Sequence, residues 1–366
     1  MHLVKKTLLH ISEAPLTEEC GMGRVSWHWK KEFERRGFEF VHIGPLEVGP
    51  VAHKAMFPFA AYRACKGILP RVNLLLVHEP ISGAFVNCGK PLVVFSHGLE
   101  RRGWNCLRGN RQPLRLRTRF TFPLWRLRQC DRGIRRASAV LLINREDAEF
   151  AENRYSLDRE RTFIFRNGVY KSERAMPQPP KKQCRILFLG SWIARKGTQH
   201  LAEAARQLTR AELSTEWVLA GTGRSPDAIL REWPQELHRY TKIIPSFRRF
   251  EEEAIYAGCA IFVLPSLFEG QPLSLLQAME AGLCCITSNC CGQKDLITHR
   301  FNGMLYTPGN SIELAASLKE SISDGALRKR LGGNAGASVE NRTWNIVSGE
   351  VVDFIESALV RFPEVG

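Results

Sequence analysis

The stretch FVLPSLFEGQPLSLLQAMEAG, residues 262–282, decides how this chain folds. The apolar run 260–264 has the length and composition of a buried strand, and it ends at Pro265 and Ser266. A short loop follows, carrying a carboxylate at Glu269 and a flexible backbone at Gly270. Pro272 suits a first helical position, where its missing N–H has no intrahelical partner to lose. Leu273, Leu276 and Met279 give the next segment one apolar helical face, and Gly282 stops it. An acid and a glycine are therefore expected at the carboxyl end of a buried strand, beside a helix N-terminus. Open α/β sheets bind nucleotides and anionic ligands at such places.

The same strand-then-helix alternation extends outward in both directions. Strand-like runs fall at 7–11, 38–43, 73–78, 92–97, 139–143 and 162–165, and again at 185–189, 217–220, 242–245, 260–264, 284–287 and 304–306. Apolar runs separated by helical segments predict parallel sheets covered by helices on both faces. Two such series predict two doubly wound domains, which 366 residues accommodate. Between them, YKSERAMPQPPKKQ (170–183) is rich in Pro and Lys and lacks periodicity, so it reads as a linker. The expected division is a first domain over 1–170, a linker over 171–183 and a second domain over 184–343. The remainder, 344–366, carries the helical pattern Ile346, Val351, Phe354, Ile355 and Leu359.

No run of about 18 uncharged apolar residues exists, so no membrane span is expected. The start MHLVKKTLLHIS reads as the first strand rather than as a signal peptide, since it has no small-residue cleavage site. Cys284, Cys285, Cys290 and Cys291 form two vicinal pairs, which invites a metal reading. Adjacent strand residues point to opposite faces, however, so four thiolates would not converge, and no metal is expected. Eleven cysteines without a disulfide pattern suit a reducing cytoplasm.

The net charge is +15, and much of it lies between Arg101 and Arg136. Twelve arginines there face a single acid, Asp131, with Leu114, Leu116, Phe120, Phe122, Leu124, Trp125 and Leu127 interleaved. A basic amphipathic segment reads as a surface for anionic lipid headgroups, which would make the protein peripheral on the cytoplasmic membrane face. Nucleic acid is the rival partner and a solvated helix pair the plain alternative. The lipid reading is preferred, and no nucleic-acid partner is expected.

The central segment resembles the donor-sugar motif of the retaining glycosyltransferases of family 4, which have the GT-B fold. The family pattern is Glu, seven residues, then a second Glu followed by Ala-Met. Here Glu269 matches the first acid, and Gln277, before Ala278 and Met279, stands in place of the second, the carboxylate that family members use on the donor's ribose hydroxyls. The resemblance implies two Rossmann-like domains facing each other across a cleft. It also implies a nucleoside diphosphate sugar as donor substrate, with no cofactor and no metal, and a glycan or lipid-linked acceptor. Glu269, Gly270, Gln271, Pro272, Leu273 and Gln277 then belong to the donor site.

Other segments carry the same resemblance. Gly190-Ser191-Trp192-Ile193-Ala194-Arg195-Lys196-Gly197 matches the loop that opens the second domain. Family members have Arg where Ser191 stands. Lys196 matches their diphosphate-binding lysine, and Arg195 offers a second charge. Gly221 and Gly223 match a glycine turn near the nucleotide base. Gly21 and Gly23, ahead of a helix expected over 25–36, match a glycine-rich loop that approaches donor or acceptor. His97, at a strand end, matches a histidine over the donor sugar, with Glu100 and Arg101 on the acceptor side. The implied catalytic set is His97, Glu269 and Lys196. Asn167-Gly168-Val169 matches the turn that closes the first domain. The chain contains no Asp-x-Asp, the metal motif of the other large glycosyltransferase class.

Because Ser191 and Gln277 both depart from the pattern at the donor site, a second reading stands beside the enzyme. It is a catalytically impaired GT-B protein that binds a glycan or associates with a membrane. An epimerase or phosphorylase on the same fold is a further alternative.

Overall fold

A computed structural model describes residues 6–109, 116–171 and 184–361. Arg111, Leu114, Arg115 and residues 172–183 of the expected linker lie outside them. The chain divides into two compact units, Met1–Arg166 with Trp344–Gly366, and Asn167–Thr343.

The first unit is built on a six-stranded parallel sheet in the order β2-β1-β3-β4-β5-β6. Its strands are β1 (Thr7–Ile11), β2 (Glu39–Ile43), β3 (Leu74–His78), β4 (Leu92–Phe95), β5 (Ala139–Leu142) and β6 (Thr162–Ile164). Leu9 pairs with Val41 on one side and Leu75 on the other. Every residue of β1, β3, β4 and β5 is buried, as befits strands covered on both faces. The helix Gly21–Arg35 closes one face with Val25, Trp29 and Phe33, all at most 1% exposed and four residues apart. Each such side chain contributes roughly 1.5–3 kcal/mol by leaving water. The helix Trp344–Arg361 packs beside it. The Trp344 ring stacks on His28 at 4.3 Å, and Arg36 Nη2 donates to Asp353 at 2.7 Å.

The second unit has its own six-stranded parallel sheet, ordered β12-β11-β10-β7-β8-β9. The strands are β7 (Cys184–Leu189), β8 (Thr215–Ala220), β9 (Thr241–Ile244), β10 (Ile261–Leu264), β11 (Cys284–Ser288) and β12 (Met304–Tyr306). Two cores flank it, one around Phe188, Trp217, Leu201 and Leu318, the other around Phe262, Leu276, Met279 and Ile297. β7 and β10 are neighbours, with Ile261 opposite Ile186. Strand order runs outward in opposite directions from this pair, so it is the sheet's topological switch point, the place where such sheets receive ligands.

The chain passes into the second unit after Arg166, so the boundary lies ahead of the expected residue 170. The reason is local bonding. Asn167, Val169 and Tyr170 are hydrogen-bonded to Gln271, Arg342 and Gln277 of the second unit. Asn167-Gly168-Val169 therefore opens that unit rather than closing the first.

All eleven cysteines are free. Cys284 and Cys285 lie side by side on β11, bonded to Ser321 and to the Leu283 carbonyl respectively. Among the described residues, no group of three or more His, Cys, Asp or Glu side chains is arranged to hold a metal ion. Nor is any helix among them long and apolar enough to cross a membrane.

Candidate functional site

Three loops gather at the carboxyl ends of β7, β8 and β10. The loop after β7 runs through Gly190 to the short turn Ala194–Lys196. Its Gly190 and Trp192 N–H groups donate to the carbonyls of Ala220, the last residue of β8, and Thr222. The loop after β10 is tied to it in turn. Leu267 N–H donates to the Arg195 carbonyl at 2.8 Å, and Arg195 Nη1 donates to the Phe268 carbonyl at 2.6 Å.

Gly197 makes this approach possible. Its φ is +69°, in the left-handed region, and a Cβ there would lie 1.9 Å from the Pro265 carbonyl oxygen. Gly197→Ala therefore combines backbone strain with displacement of the β10 loop. It should cost about 2–5 kcal/mol, seen as a lowered melting temperature. An unchanged melting temperature would contradict the close approach.

The result is a buried ion pair. Lys196 Nζ lies 2.5 Å from Glu269 Oε1 and Arg195 Nη1 lies 3.5 Å from it, with the Lys196 and Glu269 side chains 13% and 9% exposed. Burial alone would push the Glu269 carboxyl upward. Lys196 and then Arg195 outweigh it and hold the carboxyl below the usual carboxylate range. Gly190 abuts the same lysine, since a Cβ there would sit 3.7 Å from Lys196 Nζ. Ser191 is exposed at the loop's outer side. The arrangement is a carboxylate able to accept from hydroxyl groups, with two cations able to receive an anion.

Several expected site residues have other partners. Pro272 is the N-cap, and the helix spans Leu273–Glu280, one residue later than Pro at a first helical position would give. The Gln271 side chain turns to Asn167, whose N–H it accepts at 2.7 Å, and to Arg342 Nη2 at 2.7 Å. Gln277 faces the Tyr170 peptide. Gly221 and Gly223 do form left-handed turns after β8, with φ of +66° and +65°. Gly21 and Gly23 lie inside the helix Gly21–Arg35 rather than in a loop before it. Gly23 is needed for packing, since a Cβ there would meet the Pro15 carbonyl oxygen at 2.2 Å.

Two residues escaped the sequence reading. Arg342 anchors Gln271 from 71 residues away, and no local pattern announces it. Gly292, in the helix Cys291–Leu296 after β11, lets that helix touch the loop after β10, because its Cβ would lie 1.8 Å from the Gly270 carbonyl oxygen. Its position directly after the vicinal cysteines Cys290 and Cys291 was the available signal.

In the first unit, His97 follows β4 in a row of aromatic side chains. His10 Nδ1 and His42 Nδ1 are 2.8 Å apart. The His10 and His78 rings stack on Phe95 at 5.3 and 5.2 Å, and His97 lies 5.7 Å from His78. Burial pushes His78 and His97 down to about 3. These histidines are neutral near pH 7. The unfolded chain binds protons below about pH 6.5 that the fold refuses, so stability falls as pH drops from 6.5 toward 3. Between about pH 6.5 and 5 each should cost about 2 kcal/mol, readable as a falling denaturation midpoint. A flat profile over that range would contradict their burial.

Glu100 and Arg101, expected beside an acceptor, are held by the unit's own charges. Glu100 accepts from Arg126 at 2.7 Å, and Arg101 pairs with Asp131 through two bonds of 2.9 and 2.5 Å. Arg102 pairs with Glu146 and Asp147, and Arg126 also with Glu13. Acids outside the basic segment therefore neutralise part of it. Among the described residues, Arg108, Arg119, Arg128, Arg132, Arg135 and Arg136 remain outward, with Phe120, Leu124 and Trp125 between 43% and 65% exposed.

Comparison with known proteins places the second unit. Residues 170–337 match the sequence profile of the glycosyl transferases group 1. The second unit belongs to this glycosyltransferase family. Over 180 residues the chain is 26% identical to a UDP-Gal:alpha-D-GlcNAc-diphosphoundecaprenol alpha-1,3-galactosyltransferase of Escherichia coli. That match covers 45% of this chain and 46% of the relative. The matched part thus spans about half the length of that curated relative. The whole chain is similar in fold to a sucrose-phosphate synthase from Thermosynechococcus elongatus, at a TM-score of 0.80 and 15% identity over 98% of this chain and all of the other. It is also similar to an Anabaena protein solved in complex with UDP and glucose, at a TM-score of 0.69 and 15% identity over 96% and 99% of the two chains. The fold is GT-B, with two Rossmann-like domains. Within the group 1 glycosyltransferase unit, the Lys196–Glu269 pair and its three loops sit at the switch point between β7 and β10.

Proposed function

We propose that the chain is a retaining glycosyltransferase of family 4 that moves a sugar from a nucleoside diphosphate sugar to a hydroxyl of a glycan or lipid-linked acceptor. The observation that carries this reading is the contact between Lys196 Nζ and Glu269 Oε1. A sugar diphosphate offers each group a better partner. Its hydroxyls donate to the Glu269 carboxylate, and charged bonds of that kind contribute about 1.5–3 kcal/mol each. Its phosphates take Lys196 and Arg195, which stabilise the leaving charge without a metal. The incoming hydroxyl attacks the anomeric carbon on the face the diphosphate leaves, and a phosphate oxygen accepts its proton. No protein nucleophile is required. The relative named for UDP-Gal and the Anabaena protein holding UDP make a uridine nucleotide the first donor to try.

The first unit supplies the acceptor side in this proposal, with His97 contributing a neutral imidazole. Its outward arginines and exposed Phe120, Leu124 and Trp125 suit an anionic bilayer at the cytoplasmic face, where a lipid-linked acceptor would lie. Binding to vesicles should require anionic lipid and weaken with salt. Equal binding to neutral vesicles would contradict it.

A panel of nucleoside diphosphate sugars, read by protection against thermal unfolding and then by product anomer, tests the enzyme reading. Protection by one donor and a product with the donor's anomeric configuration are expected. Identical melting with every nucleotide would instead favour a binding module without catalysis, the reading that Ser191 and Gln277 would support.

A further inference from the structure

Gln277 stands on the helix Leu273–Glu280, where an acid would be expected to meet the donor's ribose, yet its amide is already engaged. Its Oε1 accepts the Tyr170 N–H at 3.2 Å, and its Nε2 donates to the Tyr170 carbonyl at 2.9 Å. The second Nε2 hydrogen faces Glu280 Oε2 at 3.3 Å. One side chain thus meets both polar groups of one residue's backbone. A carboxylate could accept from the N–H but would confront the carbonyl, whereas an amide satisfies both.

The same strip of chain is held at its other end by a second glutamine. Gln271 Oε1 accepts the Asn167 N–H at 2.7 Å, and Asn167 Nδ2 donates to the Gln271 carbonyl at 2.8 Å. Between them, Val169 N–H donates to the Arg342 carbonyl at 2.8 Å. Residues 167–170 are therefore laid along the loop that carries Glu269 and the helix Leu273–Glu280 that follows it. The strip also sets an aromatic platform, because the Arg249 guanidinium lies 3.6 Å over the Tyr170 ring.

We infer that Gln277 is a positioning residue that fixes Tyr170 against the helix Leu273–Glu280, and that this side chain does not read the donor's ribose. The inference rests on the reading that this unit binds the donor. Both amide hydrogens are spent within the protein, and a neutral oxygen with one remaining lone pair cannot hold a vicinal diol as a carboxylate can. Donor recognition then lies at the diphosphate and sugar, through Lys196 and Glu269, and the protein should tolerate loss of a ribose hydroxyl.

The test uses the full chain as wild type, Gln277→Glu and Gln277→Met, with UDP and 2′-deoxy-UDP as probes. The first readout is the melting temperature without nucleotide, compared with wild type at each pH so that the histidine effect cancels. An ionised carboxylate at 277 would face the Tyr170 carbonyl and Glu280, with Arg249 across the Tyr170 ring. A protonated one both donates and accepts, as the amide does. Gln277→Glu should therefore melt several degrees lower near pH 8 and approach wild type near pH 5, while Gln277→Met stays lowered at both. A pH-independent difference, or none, would overturn the pairing.

The second readout is affinity. Wild type should bind the two nucleotides within about threefold of each other, and Gln277→Met should leave that ratio unchanged. Gln277→Glu tightening UDP about tenfold relative to 2′-deoxy-UDP would overturn the ribose assignment. Should neither nucleotide bind wild type, the donor-site reading and the ribose assignment fail together, and the melting comparison still decides the pairing.

Discussion

Lys196→Met should destabilise the chain by about 3–5 kcal/mol and abolish protection by nucleotide. The stability loss comes from Glu269. Its carboxylate is 9% exposed, and Lys196 is its nearest cation. Without Lys196, a buried charge keeps only Arg195 at 3.5 Å, whose guanidinium is already committed to the Phe268 carbonyl. The Glu269 carboxyl should respond by titrating higher, since burial then outweighs the remaining attraction. The variant should thus lose stability more at neutral than at mildly acidic pH, measured against wild type in chemical denaturation. A variant as stable as wild type that still binds nucleotide would show the lysine to be incidental.

Glu269→Gln should have the opposite balance. The amide keeps the shape and leaves Lys196, whose flexible stem can carry its charge toward water. Stability should change little. Transfer should slow roughly 10–100-fold, because a charged hydrogen bond to a sugar hydroxyl becomes a neutral one while positive charge grows at the anomeric carbon. Initial rates with the donor identified by thermal protection would measure this. A rate within twofold of wild type would remove Glu269 from the transfer step. The pair of variants separates roles that a single alanine substitution would blur.

The strands were legible because parallel strands buried on both faces are continuous apolar runs. All twelve lie within two residues of the periodicity reading, and 7–11 and 304–306 coincide with β1 and β12. The site was legible where its parts lie in one loop. Glu269 with Gly270, and Arg195 with Lys196 and Gly197, are local motifs at strand ends. What escaped is non-local. The pairing of Gln277 with Tyr170 spans 107 residues, and that of Arg342 with Gln271 spans 71. The charge of 101–136 was overstated for the same reason, since Glu13, Glu146 and Asp147 come from elsewhere to meet it. Gly23 misled because a glycine required by a neighbour's carbonyl looks, in sequence, like one required by a ligand.

One sugar diphosphate is expected to displace the Lys196–Glu269 contact and take both groups for itself. A crystal structure with the protecting nucleotide sugar measures this directly. The diphosphate should lie against Lys196 and the loop at Gly190, with Glu269 accepting from the sugar. A nucleotide bound elsewhere, with Lys196 still on Glu269, would contradict it.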